Sequence, residues 1–165
     1  MKLIRYFFTI LVILLFTVQA YAAGSITGTA TRVPVRQGSP PMVLITLTCT
    51  ADATAHTWPA TVVNTLDNVS TYDLRGLKLY SVMAIPSAVT APTAATDLTI
   101  TDTNGVDLLG GKGTDFISDT AKTWIPAGPS NYAFPALITG NITVTMSNNL
   151  VNSAVITLVL QFVGD

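Results

Sequence analysis

The side chains that could do chemistry in this chain are few and scattered. There is one cysteine, Cys49, one histidine, His56, and nine acidic residues, all of them aspartate. A thiol nucleophile needs a base within hydrogen-bond reach. Cys49 lies in the run Val43-Leu44-Ile45-Thr46-Leu47-Thr48-Cys49-Thr50, where strand alternation puts its sulfur on one face with Val43, Ile45 and Leu47, while His56 falls in a loop-like stretch beyond. The cysteine therefore reads as a small core hydrophobe, and being alone it forms no intrachain disulfide. Without glutamate, acid-base catalysis would rest on aspartate pairs. Asp115 and Asp119 are the closely spaced pair in an irregular segment, and such carboxylates are commonly solvated. No H-E-x-x-H or G-x-S-x-G pattern occurs. The expectation is a protein that is not an enzyme and takes no cofactor.

Binding chemistry offers more. Asp102-Thr103-Asn104-Gly105-Val106-Asp107 looks like part of a calcium loop, but an EF-hand would carry a bidentate Glu where this chain has Gly113. Asn104-Gly105 between apolar runs is explained by a hairpin turn, which leaves open only a surface calcium ion near Asp102 and Asp107. Gly110-Gly111-Lys112-Gly113 lacks the spacing of a phosphate loop. Trp58, Trp124, Tyr132 and Phe134 read first as buried apolar anchors; the other reading is a binding surface of Trp124, Tyr132 and Phe134 that stacks on sugar rings.

These residues must be positioned by strands. Thr, Val, Ala, Asn and Gly are abundant, and the strong helix former Glu is absent. Alternation predicts strands over 25–33, 42–50, 60–64, 76–85, 97–101, 106–109, 140–147 and 154–163, with a helical turn near 116–121 inside a long irregular segment. Several short strands with turn signals between them predict an all-β, antiparallel two-sheet sandwich, jelly-roll-like, in a single domain. Residues 1–22 read as a signal peptide: Lys2 and Arg5 precede an apolar run to Val18, and Ala20 and Ala22 supply a cleavage site. The β-sandwich domain is then 23–165, placed in the periplasm, at the cell surface, in a virion or in the medium. Its six basic residues against nine aspartates give no footprint for nucleic acid, and after cleavage none for a membrane.

From Thr46 to Val163 the order of features resembles a kind of small β-rich protein encoded in bacteriophage and prophage-like regions. The elements that carry the resemblance are Leu47-Thr48-Cys49-Thr50-Ala51-Asp52, Pro59-Ala60, Gly76-Leu77, Ala91-Pro92-Thr93, Asp97-Leu98-Thr99-Ile100-Thr101-Asp102, Asn104-Gly105-Val106-Asp107-Leu108-Leu109-Gly110-Gly111 and Gly140-Asn141-Ile142-Thr143-Val144. The resemblance implies a virion-associated structural protein without catalytic residues. A virion protein assembled in the cytoplasm needs no export signal, so a surface-appendage component stays open beside it.

The functional expectation is a non-catalytic, exported structural protein that acts through protein-protein contacts as a homo-oligomer. The alternative is a secreted module that binds a glycan or another cell-surface ligand. Ile26, Gly28 and Ala30 mark an edge segment with small side chains, a candidate assembly strand that could complete a neighbour's sheet.

Overall fold

A computed structural model describes residues 23–34, 37–128 and 136–164. The signal segment, Tyr132 and Phe134 lie outside them. The described residues form strands β1 (Ser25–Val33), β2 (Met42–Thr50), β3 (Thr61–Val62), β4 (Lys78–Pro86), β5 (Asp97–Thr101), β6 (Thr123–Pro126), β7 (Ala136–Leu137), β8 (Thr143–Ser147) and β9 (Val155–Val163). Among them there is no α-helix, and one 3-10 turn spans Val63–Thr65. The large sheet runs β1-β2-β9-β4-β6, with β7 beside one end of β4; the small sheet runs β3-β8-β5. All named strand pairs are antiparallel.

The connectivity is one long hairpin rolled up on itself. β2 pairs β9, β3 pairs β8 and β4 pairs β6, so these three strands meet counterparts from the second half in nested order, with β1 added at the edge beside β2. Successive arms alternate between the two sheets, which is the logic of a jelly roll. At the tip, β5 faces an irregular partner: Leu108 N donates to Ile100 O at 2.7 Å, Leu98 N to Gly113 O at 2.8 Å and Ile117 N to Thr96 O at 3.0 Å.

Alternation builds one core between the sheets. Val43, Ile45, Leu47 and Cys49 from β2 and Ile156, Leu158, Leu160 and Phe162 from β9 point inward, and Leu98, Ile100, Val144 and Met146 from the small sheet belong to the same cluster. Cys49 has the face expected of it; burial pushes its thiol pKa up to about 12.

Two expectations need correction. The Asn104-Gly105 turn forms, with Gly105 at φ 78° and Asp102 N donating to Val106 O at 3.1 Å, but 106–109 is not a strand. Asp107 draws Leu109 N (3.0 Å) and Gly111 N (2.7 Å) onto its carboxylate and curls the chain into turns, with Gly110 and Gly111 in the left-handed region. No helical turn occupies 116–121; the regular element nearby is β6. The candidate assembly strand β1 pairs β2 of its own chain over nine residues, and Ile26 is buried. Gly28 faces inward so tightly that an added Cβ would lie 2.8 Å from Leu66 Cδ1 and 2.9 Å from Leu47 Cδ2.

Candidate functional site: the outer face of the large sheet

The residues with reactive side chains are spread over the fold and occupied by structural work. Asp52 accepts from Thr54 N and Ala55 N, both at 2.6 Å, and these backbone donors hold its carboxyl below the usual carboxylate range. Val106 N and Asn104 N do the same for Asp102. Asp97 binds Asp115 N at 2.7 Å and Asn148 Nδ2 at 2.5 Å, joining two loops. The carboxylates of Asp102 and Asp107 are thus turned onto their own turns, and among the described residues no three His, Cys or Asp side chains gather as metal ligands. Asp115 and Asp119 are both exposed. Trp58 is buried in the core, as an anchor should be.

A polar cleft of about 570 Å³ lies among Asn64, Tyr72, Asp73, Arg75, Thr103 and Asn141. Its groups are largely spent on one another. Arg75 grips Asp73 through Nε at 3.0 Å and Nη2 at 2.9 Å, Asn64 Oδ1 accepts from Ile142 N, and Thr103 Oγ1 donates to Asn141 O.

The distinctive surface is the outer face of the large sheet, and its composition follows from the register. One row across the strands reads Trp124, Met83, Val159, Thr46, Thr29; the next reads Pro126, Ser81, Gln161, Leu44, Thr31. A bulge between Leu79 and Ser81 sets this phase in β4, turning Ser81 and Met83 outward while Val82 and Ala84 stay in the core. From β2 across β9 and β4 to β6 the face is apolar at one end of the strands: Met42, Leu44, Met83, Trp124 and Val159 line a shallow groove of about 350 Å³ with Val33 at its end. The side toward β1 is threonine, with Thr27, Thr29 and Thr31 exposed. Ser81 Oγ donates to Gln161 Oε1 at 2.9 Å and Gln161 Nε2 contacts Met42 Sδ at 3.4 Å, so the polar atoms within the groove are paired.

Trp124 is 57 % exposed, which overturns its reading as a buried anchor. Its neighbour Ile125 is the one that packs against the core, and alternation then forces the indole outward. Sequence reasoning missed Met42, Leu44, Met83 and Val159. The signal was present: Met42-Val43-Leu44-Ile45, Val82-Met83-Ala84 and Leu158-Val159-Leu160 are apolar at consecutive positions, and a strand of that kind has apolar residues on both of its faces. The groove is lined by apolar side chains, with Ser81 and Gln161 held to each other. It can exclude water against another apolar surface.

No protein-family model matches the chain, and no curated protein matches it. Among solved structures, the cyanophage Pam1 capsid asymmetric unit aligns over 88 % of this chain and 88 % of that chain, with 10 % identity and a TM-score of 0.30. A superposition this loose carries neither fold nor function across.

Proposed function

We propose that this chain is an exported, non-catalytic structural subunit of the phage-virion or surface-appendage kind, working through protein-protein contact across the outer face of its large sheet. The observation that supports this most is the half-exposed apolar surface around Trp124 on an otherwise regular sheet. An indole over Met83 and Val159 has the composition of an interface centre, where aromatic and Met side chains are enriched. A sugar ligand would need hydrogen-bonding partners around the indole, and Ser81 and Gln161 already hold each other. Export rests on residues 1–22, with a mature start at Ala23.

The test is to express residues 1–165 in the native bacterial host and recover surface structures or particles. The mature chain should begin at Ala23 by mass spectrometry and be present in the assembled fraction, and Trp124→Asp should leave it folded but unassembled. Retention of Met1 to Val18 would remove the export reading. Unchanged incorporation of Trp124→Asp would remove the contact face. Loss of binding to a glycan array by Trp124→Ala, with assembly intact, would turn the assignment to a sugar-binding module.

A further inference from the structure

Resting on that reading, we propose that the outer face of the large sheet is occupied by the same face of a second copy of this chain, with the twofold axis running along β9. Three features of the face point to its own copy. It is nearly uncharged: along β1, β2, β9, β4 and β6 the outward positions carry one charged residue, Lys78, at a corner beside Leu137. A surface without charge neither repels its copy nor selects a charged partner.

Its size is right. Four strands of nine residues, each about 30 Å long at ~3.3 Å per residue and ~4.8 Å apart, cover about 570 Å², and the four-residue β6 adds about 60 Å². The ~630 Å² that results is within about a fifth of the ~800 Å² that each partner contributes to a stable complex.

Its two halves are complementary to each other. β9 is the middle strand of the path, with large Met83 and Trp124 on one side and small Thr29 and Thr46 at the same level on the other. A rotation of 180° about β9 lays β6 over β1 of the partner subunit and β4 over its β2. Trp124 then stands over the threonines of the opposing β1, Met83 over Thr46 of the partner subunit, and Val159 beside its own symmetry mate. Aligned sheets cross at ~30°, which moves Trp124 along β1 by about one outward position; Thr27, Thr29 and Thr31 offer it the same small surface throughout. In such an isologous contact Trp124 and Met83 each meet threonines, and each such pairing occurs twice.

The axis makes a sharp test. In the mature protein, Val159→Asp places two carboxylates face to face and Val159→Lys two ammonium groups, while mixing the two variants pairs opposite charges at the same point. Sedimentation equilibrium should show dimers of the unaltered chain, a dissociation constant raised at least tenfold in each variant alone, and dimers again in the mixture. Circular dichroism confirms that the variants fold; if Val159→Asp does not, Thr157→Asp with Thr157→Lys tests the next outward position of β9. Dimers that persist in the aspartate variant, or a mixture that stays monomeric, overturn the proposal. A monomeric mature chain that still needs Trp124 to enter its assembly overturns the homotypic contact alone and leaves the assembly reading standing.

Discussion

Cys49 shows how position decides reactivity. Its sulfur is fully buried between Leu47 and Ala51 in sequence and faces the same core as Ile156. Native protein should resist alkylation at neutral pH, with labelling appearing only on unfolding; rapid native labelling would show that β2 does not hold its register. The same burial sets an alkaline limit. The folded pKa lies above the ordinary thiol value of 9.0, at about 12, so the neutral thiol's contribution is complete below pH 9 and is lost as pH rises from 9 toward 12, where the unfolded chain ionises and the folded one does not. Chemical denaturation across that window should show stability falling faster for the unaltered chain than for Cys49→Ala. Asn149 is the polar counterpart. Its Oδ1 accepts from Thr93 N at 3.0 Å and Val151 N at 3.2 Å, and its Nδ2 donates to His56 O at 2.7 Å, so one buried amide ties three loops at one end of the sandwich. Asn149→Ala leaves these groups without their partner and should cost about 2–4 kcal/mol by urea denaturation. Trp124→Ala, by contrast, should cost about 1 kcal/mol or less, because little of the indole's surface is taken from water within the monomer.

At the scale of elements, the long alternating strands were legible and the irregular ones were not. Residues 42–50 and 97–101 fall where the alternation puts them, and 154–163 and 76–85 within one or two residues, because each carries its periodicity in its own side chains. β6 was hidden because four residues, Thr123-Trp124-Ile125-Pro126, carry too short a pattern, and their strand character comes from pairing with β4. The stretch after the Asn104-Gly105 turn was misread for the opposite reason: Val106-Asp107-Leu108-Leu109 has strand composition, yet the Asp107 carboxylate captures its backbone locally. Of the site, Trp124 was named as a candidate, whereas its partners were not, since they come together only through the register of β4, β9 and β2. Gly113 is the hinge of this tip. A Cβ there would collide with the carbonyl of Leu98, the strand that Gly113 O holds by a 2.8 Å hydrogen bond. Gly113→Ala should therefore open the β5 edge, seen as faster amide exchange at Leu98 and Ile100 with the β2–β9 pair still protected; uniform protection would contradict the close packing.

For the whole molecule, the nested hairpin carries a consequence in time. The two strands at the centre of the large sheet, β2 and β9, are almost the farthest apart in sequence, with Met42 opposite Val163. Their pairing closes nearly the whole domain as a loop, so its entropy must be given up before the central contacts repay it, and high contact order of this kind belongs to slow folders. Nor can the pair begin to form until the ribosome has released the last strand. The domain stays an open thread for as long as its closing strand has yet to arrive.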